Sequence, residues 1–259
     1  MDLELRGKAV LLVGGTRGIG RETALLLGQE GARLALIARD AKTLEETANE
    51  VRAQGGQAVT IPADVTDPGQ AQRAVVHAAG ALGTFDVLIC TVGRGFRGPF
   101  AEIDDAKWRE AFDLDFFAPA RLVRLAIPNM APGSRVVLLG AASAKQPSMH
   151  QSPSNAAKAA LANLTRSLAE ELAPQGLAVN CVSPGRILSD RRHERLTAEA
   201  GKRGIPPEAA LRDDAAHIPL GRLGKPAEVA SIVVFLASPR AAYMTGQSVL
   251  VDGGLVRTV

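Results

Sequence analysis

A glycine-rich turn near the start of the chain carries the clearest chemistry in the sequence. Residues 14–20 read Gly-Gly-Thr-Arg-Gly-Ile-Gly, after the apolar run 9–13 and before a segment of helical composition, 22–27. Glycines at these spacings let the backbone approach a pyrophosphate, whose charge is met by the free amides of a helix N-terminus. Strand, turn and helix in this order predict a dinucleotide cofactor. The residues predicted to hold it are Gly14, Thr16, Arg17, Gly18, Ile19 and Gly20.

The end of the second apolar run predicts which dinucleotide is bound. NAD sites commonly place a carboxylate after this strand to bind the 2′-hydroxyl of the adenosine ribose. Here the first polar side chain is Arg39, which together with Arg17 can hold a 2′-phosphate through charge-assisted hydrogen bonds. NADP(H) is therefore favoured. Asp40 leaves NAD(H) as an alternative, and Arg39 can also be an ordinary exposed arginine at a strand end.

Short β-rich runs alternate with helical segments along the chain. The runs are residues 8–13, 33–38, 58–62, 85–91, 135–139 and 178–182. Strands separated by helices form a parallel sheet, and continuous apolar strands suit a sheet covered on both faces. The sequence therefore predicts a single α/β domain over residues 1–259, with a Rossmann-type doubly wound sheet flanked by helices.

One segment, at about residues 186–218, interrupts this alternation. It contains seven Lys or Arg residues and Pro206-Pro207 but little apolar periodicity. Because it follows a strand near the edge where α/β ligands bind, we predict a lid or loop that covers the substrate. Its basic side chains can receive an acidic substrate such as an acyl-carrier thioester, or simply be solvated. They include Arg191, Arg192, Arg195, Lys202 and Arg203.

Composition argues against several functional classes. Of 259 residues, 46% are hydrophobic and 22% are charged, which is typical of a soluble globular protein. No apolar run approaches the roughly eighteen residues of a membrane helix, and residues 1–7 do not resemble a secretory signal, so we expect a cytoplasmic protein without a membrane partner. Cys90 and Cys181 lie in apolar runs, where we expect buried thiols and no disulfide.

The charge distribution and the histidines bear on two further kinds of partner. The formal net charge is +3, but Lys and Arg are spread along the whole chain, which indicates a mixed solvated surface and no nucleic-acid interface. The four histidines show no close pairing with each other or with cysteine at a metal-ligand spacing, so we predict no metal site. We expect a small-molecule substrate instead.

Four motifs together resemble the short-chain dehydrogenase/reductase family along essentially the whole chain. They are the glycine turn with its preceding valine (residues 13–20), Asp64-Val65, the run Asn-Cys-Val-Ser-Pro-Gly at 180–185, and Asp252-Gly253-Gly254. The resemblance implies a seven-stranded sheet, a nicotinamide cofactor and a homodimer or homotetramer. It also implies further cofactor contacts at Asp64, Val65, Gly93, Lys158, Pro184, Gly185 and Ser189.

The reaction centre departs from the family's pattern. The family places a Tyr-x-x-x-Lys pair on one helix, and the tyrosine donates a proton to the substrate oxygen. Here Ser154 stands in the tyrosine position, and Lys158 is retained one turn away on the same helix face. The chain's one tyrosine, Tyr243, lies far away in a segment that we interpret as structural.

Other catalytic positions of the family also change. Its serine falls on Ala141, although Ser143 lies two positions away, and its helix asparagine falls on Asp115. Its Asn-Asn-Ala-Gly run reads Cys-Thr-Val-Gly at residues 90–93. Because positioning of the reactants contributes separately from acid catalysis, loss of the tyrosine need not abolish hydride transfer.

Several groups are candidates for the missing proton donor. Ser154 is a weaker acid than a phenol but can donate a hydrogen bond. His150, Arg186 and Arg94 are further donors, each of which can also be a loop residue that contacts only solvent. Lys158 either binds the ribose or titrates low enough to act itself. A substrate with its own acidic hydroxyl can also supply the proton.

Three functions therefore stay open from the sequence. The first is an NADP-dependent oxidoreductase that acts on a ketone or alcohol with a rebuilt acid site. The second is a non-catalytic cofactor-binding protein, a sensor or partner whose lid responds to NADP. The third is a dehydratase or isomerase on the same scaffold, in which Asp115 acts as a base. Asp115 can equally be a carboxylate bonded to backbone at a helix distortion.

Overall fold

The computed structural model describes residues 1–257, and its centre is a parallel seven-stranded sheet in the order β3-β2-β1-β4-β5-β6-β7. The strands are β1 Ala9–Val13, β2 Arg33–Ala38, β3 Gln57–Pro62, β4 Phe85–Cys90, β5 Met130–Leu139, β6 Ala178–Pro184 and β7 Ser248–Val251. Adjacent strands pair in parallel throughout. The predicted α/β class is confirmed.

Helices cover both faces of this sheet. Their bounds are α1 Gly18–Gln29, α2 Ala41–Ala53, α3 Pro68–Leu82, α4 Asp105–Phe112, α5 Ala118–Ala126, α6 Ser152–Leu172, α7 Asp190–Arg203, α8 Pro207–Ala215 and α9 Pro226–Ala237. Buried side chains of α1, α2 and α9 pack on one face, and those of α3, α5 and α6 pack on the other. The doubly wound arrangement predicted from continuous apolar strands is therefore confirmed.

Strand β1 shows why such strands need two covering layers. All five of its residues are buried. Leu11 and Val13 join the apolar cluster on one face, while Val10 and Leu12 join the cluster on the other. Because successive side chains of a strand point to opposite faces, an uninterrupted apolar run is stable only inside such a sandwich.

The strand order places a crevice beside β1. Strand β1 pairs with β2 on one side and with β4 on the other, so the chain winds outward in both directions from this point. In doubly wound sheets the ligand crevice lies at the carboxyl ends of the strands at such a switch point. The turn after β1 and the loop after β4 therefore face one cleft.

The basic segment at about 186–218 is helical. It contains α7 and α8, which share a small apolar cluster formed by Leu196, Ala200, Ala210, Ile218 and Leu223. Ser189 caps α7 by accepting from the Arg192 amide at 3.4 Å, and Gly204 ends the helix at a left-handed φ of +64°. The predicted lid thus has an apolar core of its own, which its sparse periodicity did not reveal.

The remaining differences from the sequence predictions lie at strand bounds. Strand β2 matches its predicted range, whereas β5 begins at Met130 and not at residue 135. Strand β7, whose four residues are only partly buried, was not among the runs identified from residue composition. Cys90 and Cys181 are free and buried, as expected. Among the helices of residues 1–257, none has the length and apolarity needed to cross a membrane.

Candidate functional site

The turn after β1 forms a backbone cradle that requires glycine. Gly14 has a left-handed φ of +93°, and a Cβ added there would lie 2.8 Å from the Thr91 hydroxyl oxygen. A Cβ at Gly20 would overlap the carbonyl oxygen of Gly14. Helix α1 begins with no side-chain cap and no acidic residue in its first turn, so its first amides are free for an anion. The cradle therefore fits a phosphate of the predicted dinucleotide.

Two arginines beside this cradle lack a carboxylate partner. Arg17 and Arg39 are exposed, and neither forms an ion pair within residues 1–257. Asp40 caps α2 instead, because its Oδ1 accepts from the Thr43 amide and hydroxyl, both at 2.8 Å. These hydrogen bonds hold the pKa of Asp40 below its usual value. The unpaired positive charge fits a 2′-phosphate.

Asp64 follows β3 on the same side of the cleft. Its Oδ1 accepts from the Thr66 amide at 3.0 Å and from the Thr66 hydroxyl at 2.7 Å. Partial burial alone would raise its pKa, but these hydrogen bonds and the charge of Arg39 hold the pKa of Asp64 below its usual value. The adenine contact that the family resemblance implies for Asp64 and Val65 stays a prediction.

The later cofactor motifs pack close to the cleft. A Cβ added at Gly18 of the glycine turn would lie 3.6 Å from the Cβ of Ser189, so the first turn of α7 adjoins the cradle. Pro184 is buried, and a Cβ at Gly185 would come within 2.7 Å of the Asp252 Cα. The close approach explains why position 185 is a glycine, and it brings residues 180–185 and 252–254 together.

Lys158 and Asp115 form a buried pair at the carboxyl end of β5. Lys158 Nζ donates to the carbonyl oxygen of Leu139 at 2.8 Å and lies 3.5 Å from Asp115 Oδ1. The two side chains are only 8% and 1% exposed. Asp115 Oδ2 is buried and has no hydrogen-bond donor in the described part of the chain. Because an unsatisfied buried carboxylate oxygen is costly, this atom is suited to accept a hydrogen bond from a ligand or water.

The loop after β4 closes over this pair. A Cβ added at Gly93 would lie 2.9 Å from Asp115 Oδ1 and 3.0 Å from Lys158 Nζ. The amide of Arg94 donates to Asp115 Oδ1 at 3.1 Å. Asp115 belongs to a π-helical segment, Asp113–Phe117, a distortion that often occurs at functional sites. The carboxylate thus makes the backbone bond that the sequence left open, and it also faces Lys158.

Ser154 is hydrogen-bonded to the same loop. Its Oγ accepts from the Phe96 amide at 2.8 Å and donates to the Arg94 carbonyl oxygen at 3.2 Å. A hydroxyl has one proton to donate, and here a backbone carbonyl accepts it. The structure therefore places Ser154 one turn from Lys158 on α6, as expected, but directs its hydroxyl at the protein's own backbone.

Both arginine candidates for proton donation form ion pairs with carboxylates. Arg94 pairs with Glu110, and its guanidinium lies 4.5 Å from the centre of the Phe96 ring. Arg186 donates to the Asp214 carboxylate at 3.1 Å and to its carbonyl oxygen at 2.6 Å. Both side chains are oriented by these contacts.

The remaining candidates lie on the connection between β5 and α6. His150 is exposed and has a left-handed φ of +58°, and its carbonyl oxygen accepts from the Gly98 amide at 2.9 Å. Ser143 is half-buried, with no side-chain hydrogen bond to the rest of residues 1–257. Tyr243, in the segment before β7, is fully exposed.

Arg191 is a site residue that the sequence assigned only to the lid. Its Nη1 lies 3.5 Å from the carbonyl oxygen of Gly93, across the cleft from α7. Burial, followed by the nearby charge of Arg94, lowers the pKa of Arg191, while Asp115 opposes that shift. No local pattern marks which lid arginine turns inward, because that depends on how α7 packs.

The chain matches known proteins over nearly its full length. The family described as enoyl-(acyl carrier protein) reductase matches residues 13–256. Cyclohexanol dehydrogenase from Rhodococcus sp. (strain TK6) is 34% identical over 281 aligned positions, which cover 98% of both proteins. 7alpha-Hydroxysteroid dehydrogenase from Escherichia coli (strain K12) is 29% identical over 258 positions, covering 99% of this chain and 97% of that protein.

A solved structure gives the same result at the level of the fold. L-Sorbose reductase from Gluconobacter frateurii, crystallised with NADPH and L-sorbose, superposes with a TM-score of 0.95 at 29% identity, covering 100% of both chains. The family match and these relatives agree with the motifs and with the doubly wound sheet. The chain belongs to the short-chain dehydrogenase/reductase family.

Proposed function

We propose that this chain is an NADP-dependent oxidoreductase that interconverts a carbonyl compound and an alcohol without the usual tyrosine. The observation that carries the proposal is the glycine cradle flanked by Arg17 and Arg39, which form no ion pair in residues 1–257. Glycine-lined amides and two available guanidiniums are the chemistry that binds a pyrophosphate and a 2′-phosphate. The NADPH in L-sorbose reductase supports the same choice of cofactor.

The residues around the cleft support a division of tasks. Residues 14–20, Arg39 and Asp64 would hold the adenosine and phosphate portions, and Lys158 would hold the nicotinamide ribose. The bound cofactor would supply or accept the hydride. Ser154 would fix the loop after β4 through its hydrogen bond with the Phe96 amide. Gly93 of this loop would pack against the Lys158–Asp115 pair and limit the entry of water.

Lys158 is the best-supported source of the proton. The Ser154 proton is donated to a backbone carbonyl oxygen, and a guanidinium cannot be deprotonated in proteins, which disfavours the two arginines. His150 is exposed on the connection before α6. The ammonium of Lys158 has three protons, of which Leu139 accepts one. Asp115 Oδ1 lies 3.5 Å from Lys158 Nζ, and the buried Oδ2 is available to accept a hydrogen bond from a hydroxyl or water.

Steady-state turnover and cofactor binding test this proposal together. A panel of ketones with NADPH, and of alcohols with NADP, should change the absorbance of the reduced nicotinamide. Lys158→Arg retains the charge but removes the transferable proton, so turnover should fall about 10²- to 10⁴-fold. NADPH affinity, measured by fluorescence titration, should change much less, because arginine keeps the positive charge and can donate to the ribose hydroxyls. Lys145→Arg changes an exposed lysine of the connection before α6 in the same way and serves as the matched control.

Two results would contradict it. Tight NADPH binding without turnover of any substrate in either direction would favour the non-catalytic cofactor-binding protein. Turnover by Lys158→Arg within about tenfold of the wild type would remove Lys158 as the proton source, because general acid catalysis usually contributes more than this.

A further inference from the structure

A cationic pocket lies between the helical segment α7–α8 and the loop after β4. The cavity has a volume of about 290 Å³. Its charged walls come from four parts of the chain: the loop after β4, the end of β6, α7 and α8. The charged residues that line it include Arg97, Arg186, Arg195, Glu199, Asp213 and Asp214.

The Asp214 carboxylate at this pocket forms ion pairs with three arginines. Asp214 lies 3.1 Å from Arg186 Nη1, 2.5 Å from Arg192 Nη1 and 3.7 Å from Arg195 Nη2. The Asp214 side chain is only 14% exposed, so solvent screens these charges less than it would at an open surface. Glu199 is shared by Arg195 and Arg203, and Asp213 pairs with Arg203. With Arg97, five arginines face three carboxylates, so positive charge exceeds negative charge around the cavity.

Two guanidinium groups in the pocket have unused donors. Arg97 forms neither an ion pair nor a hydrogen bond from its side chain in the described part of the chain. Arg195 Nη1 donates to Glu199 at 3.1 Å, whereas its buried Nη2 lies 3.7 Å from Asp214 and has no hydrogen-bond acceptor among residues 1–257. Burying a guanidinium nitrogen without an acceptor loses hydration without compensation, which favours an acceptor supplied by a ligand.

The excess charge also appears in the titration of these arginines. Partial burial, followed by the charges of Arg195 and Arg192, lowers the pKa of Arg97. Burial also lowers the pKa of Arg192, although Asp214 offsets part of this shift. The guanidiniums stay charged in the physiological range, so an anion in the pocket would relieve their mutual repulsion.

The pocket is close to the reaction centre. Arg191 reaches the Gly93 carbonyl oxygen from the first turn of α7, and Arg195 follows one helical turn later, about 6 Å further along the axis. Arg97 directly follows Phe96, whose amide donates to Ser154 Oγ. A molecule that lies with one end beside Lys158 can therefore place its other end in the pocket.

We propose that this pocket binds an anionic group of the substrate, a carboxylate or a phosphate monoester, through Arg97 and Arg195. The substrate class would then be oxo or hydroxy acids, or their phosphorylated counterparts, with the anion a few bonds from the reacting carbon. The assignment of this anion to a substrate rests on the proposed oxidoreductase function, whereas the anion site itself rests only on the arginines.

Calorimetric titration of the protein saturated with NADP⁺, which cannot reduce the oxo probes, tests the site directly. The carboxylate probes are 4-oxopentanoate and 5-oxohexanoate, each compared with its methyl ester. The phosphate probe is dihydroxyacetone phosphate, compared with dihydroxyacetone. At least one anion should bind about tenfold or more tightly than its neutral counterpart, as expected for charge-assisted hydrogen bonds.

Arginine variants identify the residues responsible. Arg97→Met and Arg195→Met should each reduce affinity for the preferred anion about 10- to 100-fold and leave the neutral counterpart unchanged. Arg212→Met, which removes an exposed arginine of α8 outside the pocket, is the matched control and should retain the preference. NADPH affinity should be the same in all four proteins.

The outcomes separate the two proposals. Equal affinities for the charged and neutral members of every pair, no measurable binding of any anion, or a preference that survives in both pocket variants would overturn the anion site. An anion preference lost in Arg97→Met, but without turnover of any substrate of the ketone and alcohol panel or of any probe, would retain the site and contradict the oxidoreductase function. The pair with the larger preference distinguishes a carboxylate from a phosphate group.

Discussion

Removing the guanidinium of Arg39 should weaken NADPH binding and leave NADH binding nearly unchanged. Arg39 is exposed at the end of β2 and forms no ion pair within residues 1–257, so its loss breaks no internal contact. A hydrogen bond to a charged group contributes about 1.5–3 kcal/mol. Exposure reduces this for Arg39 to about 1–2 kcal/mol, or about 5- to 30-fold in affinity.

Fluorescence titration of Arg39→Met with NADPH and with NADH measures this selectivity. Arg124→Met, which removes an exposed arginine on α5, controls for the change in net charge. The wild-type preference for NADPH should also decrease with added salt, because both charges are exposed to solvent. The same selectivity for NADPH in Arg39→Met as in the wild type, or an equal loss for both cofactors, would refute the assignment of Arg39 to the 2′-phosphate.

Three further changes test other parts of the site and fold. Gly93→Ala places a Cβ 2.9 Å from Asp115 Oδ1, so kcat should fall about 10- to 100-fold with little change in melting temperature; wild-type turnover would contradict the packing of this loop. Ser154→Ala removes both hydrogen bonds to the loop after β4 and should lower the free energy of unfolding, measured by urea denaturation, by about 1–3 kcal/mol. An unchanged urea midpoint would show that these bonds do not contribute to stability. The hydrogen bond from Arg222 lowers the pKa of Glu228 to about 2 in the folded protein. The contribution of ionised Glu228 to the free energy of unfolding should therefore be fully present above the pKa of glutamate in the unfolded chain and decrease as the pH falls towards 2. Glu228→Gln should flatten this acidic part of the stability profile, and an identical profile would contradict the pKa assignment.

The sequence by itself determined the fold class and predicted the cofactor end of the site. Continuous apolar strands require cover on two faces, and Gly14 and Gly18 have positive φ angles that few residue types other than glycine tolerate. Both features depend on residues that are adjacent in the chain, so they can be predicted locally. The prediction that Ser154 stands in the position of the family's tyrosine likewise comes from the sequence alone.

Only the tertiary structure decided what the polar side chains contact. Ser154 and Phe96, whose hydrogen bond fixes the loop, are 58 residues apart in sequence, and Arg191 and Gly93 are 98 apart. The helical fold of the segment predicted as a lid depends on an apolar cluster of five residues from α7, α8 and the segment that follows. These residues are too sparse in sequence to form a clear helical period. The Lys158–Asp115 pair and the pocket at Arg97 combine residues from helices and loops that are distant in sequence. They meet because parallel strands bring their carboxyl ends to the same side of the sheet.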